Sequence, residues 1–155
     1  MRNPRFSTKK QLALRKSGIH GKGVYAREPI PSDTRIIEYR GERITSDEAD
    51  ARYPDDAITT HHTFLFALED GNVVDAAFGG GMAKWINHSC DPNCEAVIEG
   101  GRIYIESIRD IEAGEELAYD YNFILEERHT PAMKRRFPCI CGAANCRGTI
   151  LGKKR

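Results

Sequence analysis

No apolar run in this chain approaches the roughly 18 residues that a membrane-crossing helix needs, so no membrane span is expected. The first 18 residues, MRNPRFSTKKQLALRKSG, lack the apolar stretch of a secretory signal, and the chain reads as intracellular. Cysteine is sparse, five in 155 residues; in a reducing compartment these read as metal ligands or free thiols rather than disulfides. Internal repeats and low-complexity linkers are absent, and the length suits one domain with a core of its own. Hydrophobic residues at 40% and charged residues at 30% exclude a disordered chain.

Acid is missing from both ends. No Asp or Glu precedes Glu28 or follows Glu127, whereas each end carries eight Lys/Arg. The other seven basic residues share the middle with all 23 acids, a net of −16 there within an overall charge of zero. Such a middle attracts a basic partner; the alternative is that ends and middle neutralise each other in the fold.

Short runs rich in Val, Ile, Phe and Tyr, separated by Gly, Pro and Asp turns, predict strands at 11–16, 23–26, 34–39, 63–68, 72–75, 94–98 and 102–108. EDGN at 69–72 signals a hairpin. A helix is expected at 46–53, capped by Ser46 with acids in its first turn, and a short one at 81–86. The chain is therefore mostly β with little helix, and 124–138 is polar and irregular.

Three of the cysteines lie in FPCICGAANCRG as Cys139-x-Cys141-x4-Cys146. Thiolates at this spacing suit zinc, and a closed tetrahedral site needs a fourth ligand. Cys90 and Cys94, in WINHSCDPNC, are both candidates; His129 fits a solvated surface position better. Either cysteine would pin the C-terminal tail to the body of the domain, and structural zinc of this kind contributes on the order of 10 kcal/mol to folding. In EELAYDYNF, Tyr119 and Tyr121 share one face of an extended segment and can line a pocket or form a core stripe. Gly21 and Gly23, in GIHGKGVYA, allow a ligand close to the backbone or simply a tight turn.

In chain order GIHGKGVYA, EYRGE, WINHSCDPNC, ELAYDYNF and CICGAANCRG resemble the SET-domain protein-lysine methyltransferases that carry a post-SET zinc segment. The likeness runs from about Leu12 to Leu151, and the joint pattern NHSC, ELxYDY and CxCx4C is highly specific. It implies a mostly β (α+β) SET fold of small curved sheets with a C-terminal pseudoknot. Residues 1–124 would be the SET domain, and 125–155 a linker and post-SET zinc segment packed on it. The resemblance makes Cys90 the fourth zinc ligand beside Cys139, Cys141 and Cys146, and leaves Cys94 a spare thiol. It implies S-adenosylmethionine as methyl donor, held by Ile19, His20, Lys22, Gly23, Phe64, Lys84, Trp85, Asn87 and His88, with Ile150 or Leu151 packing on the adenine. Tyr121 matches the family's catalytic tyrosine and Tyr39 a channel-lining one. Tyr119 sits at the family's Phe/Tyr switch, where tyrosine implies mono- and dimethylation.

This chain departs from the pattern in three ways. Phe64 stands where many relatives carry tyrosine, the insert between Tyr39 and Phe64 is short, and no cysteine-rich pre-SET segment precedes the domain. The implied partner is a basic protein, a histone or histone-like DNA-binding protein, in the cytoplasm or on the chromosome, with the chain a monomer or a dimer. The competing reading is a catalytically silent module that binds basic peptides, or nucleic acid through its basic ends. Intact Tyr121, Asn87 and His88 favour the enzyme; Phe64 favours the silent module.

Overall fold

The computed structural model describes residues 11–17, 21–52, 65–68, 70–121, 131, 143–144, 146–147 and 149. Strands dominate. β1 (Leu12–Lys16) and β2 (Lys22–Ala26) pair antiparallel, Leu12 opposite Ala26. β3 (Arg35–Tyr39), β9 (Arg102–Ser107), β8 (Cys94–Glu99), β10 (Ala118–Tyr119) and β7 (Asn87–His88) form a five-stranded sheet in that spatial order. β4 (Glu42–Thr45), β6 (Asn72–Asp75) and β5 (Leu65–Ala67) form a three-stranded sheet, with β6 central.

The core sits where these sheets meet. Ile103 and Ile105 alternate on β9 and join Leu12, Val24, Ile36 and Leu117 in one cluster. Each fully buried Ile or Leu contributes about 2 kcal/mol. Polar groups that follow the alternation inward are paired: the Ser107 hydroxyl donates to Pro31 O at 2.7 Å and accepts from Thr34 N at 2.9 Å. Outside the core, the Arg35 guanidinium stacks 3.9 Å from the Tyr104 ring centre and bonds Glu106 at 2.8 Å.

Of the hairpin expected at 69–72, residues 70–72 are described and turn the chain from β5 into β6. Leu68 N bonds Asn72 O at 2.8 Å, the Asp70 carboxylate accepts from Asn72 N at 2.9 Å, and Gly71 adopts φ +88°. The helix α1 spans Ser46–Arg52, but its cap is Thr45. Thr45 Oγ1 accepts from Glu48 N at 3.1 Å while Glu48 Oε1 accepts from Thr45 N at 3.3 Å, a reciprocal capping box. Ser46, expected as the cap, instead donates its hydroxyl to Gly71 O at 2.7 Å and so ties α1 to the hairpin. Arg52 holds the other end, bonding Glu42 at 2.6 Å and the fully buried Asp75 at 3.2 Å. The short helix expected at 81–86 is a 3₁₀ turn, Met82–Trp85.

Three strands lie outside the sequence-based expectation: β4, β7 and β10. The last two organise the fold. β7 and β8 are joined by residues 89–93, and β10 comes later in the chain, yet it lies between them and runs parallel to both. A late segment thus passes through the span of an earlier loop, which is the pseudoknot.

Candidate functional site

The inserted strand brings two polar motifs together. Ala118 pairs with Asn87, and Tyr119 with both His88 and Cys94. All five are buried, so the motif WINHSC and the motif ELAYDY share one interior seam.

Asn87 is anchored by its amide nitrogen. Nδ2 lies 2.9 Å from Ser17 Oγ, 3.1 Å from Lys22 O and 2.9 Å from Glu116 Oε2. Glu116 also accepts from the Ser17 hydroxyl at 2.7 Å and from Tyr25 Oη at 3.3 Å. One carboxylate thereby joins β2, β7 and the residue after β1, and fixes which way the Asn87 amide faces. Gly23 lies against this carboxylate: a Cβ there would collide with Glu116 Oε2, and would come within 3.0 Å of Ser17 Cβ. Gly23 is glycine because Glu116 occupies its side-chain space. Lys22 and Lys84 flank the Trp85 ring, their ammonium groups 5.2 and 5.5 Å from its centre.

An aromatic group lies next to this corner. Tyr119 and Tyr121 rings are 4.9 Å apart, His88 and Tyr121 5.2 Å, and Tyr39 and Phe66 5.5 Å. The Tyr121 hydroxyl donates to Ile86 O at 2.5 Å. Burial pushes the Tyr119 phenol well above its ordinary pKa. Burial, and then the neighbouring Tyr119 and Asp75, do the same to Tyr39. Both are neutral phenols at any physiological pH.

His88 links the tyrosines to a cysteine. Its Nδ1 accepts from Tyr121 N at 3.0 Å, which assigns the ring proton to Nε2, 3.4 Å from Cys90 Sγ. The same sulfur accepts from Arg147 N at 3.3 Å. Two N–H donors converging on one sulfur suit a thiolate. The Arg147 side chain closes the link with a two-pronged pair on Asp120, at 2.7 and 3.1 Å. The tail is therefore bonded both to Cys90 and to the residue between the two tyrosines, and Cys146 is adjacent to this contact. Cys94 lies apart in the core, 1% exposed, its thiol pushed up to about 12 by burial.

Of the expected site residues, Lys22, Gly23, Tyr39, Lys84, Trp85, Asn87, His88, Cys90, Tyr119, Tyr121 and Cys146 are described. Ile19, His20, Phe64, Ile150, Leu151, Cys139 and Cys141 lie outside the described residues, as does His129. Sequence reasoning missed Ser17, Phe66, Glu116 and the pair Asp120–Arg147. Asp120 alone had a readable signal: period-two alternation turns it away from the face that carries Tyr119 and Tyr121.

Fold and site together define a small-sheet β protein whose late strand threads an earlier loop and buries an Asn-His pair against paired tyrosines. The family model described as SET domain matches residues 21–122, and the chain belongs to the SET-domain family. It is 46% identical over 149 residues to a protein of Eremothecium gossypii named histone-lysine N-methyltransferase, H3 lysine-4 specific, covering 92% of this chain and 15% of that protein. Against the Saccharomyces cerevisiae protein of the same name it is 44% identical, covering 92% of this chain and 13% of the relative. Against histone-lysine N-methyltransferase SETD1 of Drosophila melanogaster it is 41% identical, covering 92% and 8%. The chain thus spans less than a sixth of each of these relatives. No helix among the described residues is long and apolar enough to cross a membrane.

Proposed function

We propose that this chain is an S-adenosylmethionine-dependent protein-lysine N-methyltransferase domain acting on a basic protein, a histone or histone-like protein, and stopping at mono- or dimethylation. The observation that carries this reading is the buried seam itself, where Asn87, His88, Tyr119 and Tyr121 meet beside Lys22 and Trp85. The relatives' names support the substrate class, and the acid-rich middle of the chain suits a basic peptide and a chromosomal location.

The residues fit the donor. S-adenosylmethionine supplies an electrophilic methyl group and brings a carboxylate, an ammonium and a planar base. Lys22 and Lys84 set two cations beside the flat Trp85 ring, suited to the carboxylate and the base, and the orientation of Asn87 is fixed by three acceptors. Gly23, His88 and, outside the described residues, Ile19, His20, Phe64, Ile150 and Leu151 complete the proposed set. The attacking lysine must be neutral, although a free lysine side chain has a pKa of about 10.4. A channel walled by Tyr39, Tyr119 and Tyr121 desolvates the ammonium and favours its neutral form. No tyrosine there is a base at neutral pH, so the proton leaves to solvent and the phenols act by orientation. Tyr121 has committed its hydroxyl proton to Ile86 O, which leaves its oxygen an acceptor toward the amine. The Tyr119 hydroxyl occupies the room a third methyl group would need.

The residues present also fit zinc. Cys90 takes two N–H donors, and the residue after Cys146 is one of them. With Cys139 and Cys141 they supply four thiolates for a structural site that fastens segment 125–155 to the 1–124 domain.

The test is transfer of labelled methyl from S-adenosylmethionine to core histones, with Tyr121→Phe alongside. Label on lysine that is lost in the variant is expected. Folded, zinc-loaded protein that neither labels any protein nor binds the donor would overturn the reading and leave a silent module.

A further inference from the structure

The seven cations within the acid-rich residues 28–127 divide sharply. Arg35, Arg52 and Arg109 are each within 2.8 Å of a carboxylate, and Lys84 lies on Trp85. The remaining three, Arg40, Arg43 and Arg102, line one cavity of about 310 Å³ with Glu38, Tyr39 and Ile103. It lies where the end of β3, the start of β9 and β4 come together. Arg43 is held there by donating to Gly101 O at 2.5 Å, and its nearest acid is Asp70 at 3.8 Å. Arg40 and Arg102 form no ion pair with any described residue.

Their placement is costly. Tyr39 pairs with Ile103, so the same register puts Arg40 opposite Arg102, one step beyond the last rung. Like charges across a strand pair repel, and only on its other side does Arg102 stand opposite an acid, Glu99 of β8. In a region with 23 acids and seven bases, two guanidinium groups with no ion pair among the described residues gather with Arg43, paired to Asp70 only at 3.8 Å, at a cavity whose lining holds one acid, Glu38.

We propose that this cavity is a docking site for a short acidic segment of a partner polypeptide, whose Asp or Glu carboxylates enter between Arg40, Arg43 and Arg102. Guanidinium forks match carboxylates two prongs at a time. The cavity volume takes one or two side chains. A methylation substrate rich in lysine is repelled here, so the cavity takes a ligand of opposite charge from the channel proposed above, with Tyr39 standing between the two. A nucleic-acid strand would have to extend along a segment with 23 acids and seven bases, whereas a short peptide need not. The inference goes beyond the methyltransferase reading, and its readout does not depend on methyl transfer.

The test is fluorescence anisotropy on the whole zinc-loaded chain with a labelled Glu/Asp-rich decapeptide and its Gln/Asn analogue. The acidic peptide is expected to bind and the amide analogue not. Arg102→Glu and Arg40→Glu should each weaken binding about tenfold or more, the loss expected from a charge-assisted contact. Reversing Lys153 and Lys154 at the basic end should change it less than about twofold if the site is local. Circular dichroism confirms that each variant folds, and Arg102→Gln, an exposed neutral substitution, replaces any that does not. Binding unaffected by Arg40 and Arg102, or equal binding of the amide peptide, overturns the proposal. So does a single-stranded oligonucleotide that displaces the peptide and shows the same arginine dependence, which would assign the cavity to phosphates.

Discussion

Gly23→Ala offers a sharp test of the corner that holds Asn87. The new Cβ would occupy the position of Glu116 Oε2, with Glu116 Cδ at 2.9 Å and Ser17 Cβ at 3.0 Å. Glu116 is a flexible side chain, so a shift would be cheap if nothing held it. It is held by Ser17, Tyr25 and Asn87. Moving it breaks one or two hydrogen bonds to a charged group, worth about 1.5–3 kcal/mol each before solvent re-enters this half-buried site. Gly23→Ala should therefore cost about 3 kcal/mol. In a Glu116→Ala background the space is already empty, and the same change should cost less than about 1 kcal/mol. The coupling is then about 2 kcal/mol, within the range found for residues in direct contact. Urea unfolding of the four zinc-loaded proteins measures it, and donor titration should show affinity lost in Gly23→Ala because Asn87 loses its anchor. Additivity within about 0.5 kcal/mol would refute the claim that the carboxylate dictates glycine at this position.

Tyr119→Phe should move the product towards higher methylation states, read by mass spectrometry of the labelled lysine; an unchanged distribution would count against the steric role of the hydroxyl. Chelation of zinc, or Cys90→Ser, should lower the melting temperature and abolish transfer together, since Cys90 is bonded to both His88 and the tail; activity that survives metal removal would separate the two. Stability should fall at alkaline pH. Cys94 is held protonated in the fold, from an ordinary 9.0 up to about 12, so its contribution is whole below pH 9 and is lost as pH rises through that interval. Tyr39 and Tyr119 add to the loss above pH 10. Cys94→Ala should flatten the first part of the decline in urea midpoints.

Among the described residues, seven of the ten strands were legible because each carries β-branched or aromatic residues between turn residues. The other three were not, for physical reasons. β7 and β10 are two residues long and exist only through pairing with segments far away in sequence. β4 reads ERIT, mostly polar and exposed, and is a strand only because β6 pairs with it. The cap of α1 was misread by one residue although its signal was present: Thr45 stands three before Glu48, whereas Ser46 stands three before Ala49. The tyrosine pair and the Asn-His dipeptide were visible as motifs, and their meeting was known only through resemblance, since no local pattern specifies a pseudoknot. Glu116 was hidden because a glutamate in the polar run EAGEE reads as solvated. Arg40 and Arg102 are 62 positions apart in number, and only the β3–β9 register makes them neighbours.

The segment around Arg147 is bonded into this site. His88 accepts the backbone N–H of Tyr121 on one nitrogen and directs the other at Cys90, so the ring sets the distance between the proposed catalytic tyrosine and the proposed metal ligand. Arg147 bonds the same sulfur through its backbone and grips Asp120 through its side chain. Asp120 is flanked by Tyr119 and Tyr121, so the loop closes: tyrosine, imidazole, sulfur, tail, carboxylate, tyrosine. Each member limits the freedom of the next, and no part of the ring can shift alone. Arg147 thereby ties its segment to the proposed tyrosine channel at two points, Cys90 and Asp120. Metal binding at the proposed cysteines would then join stability and channel geometry in a single event.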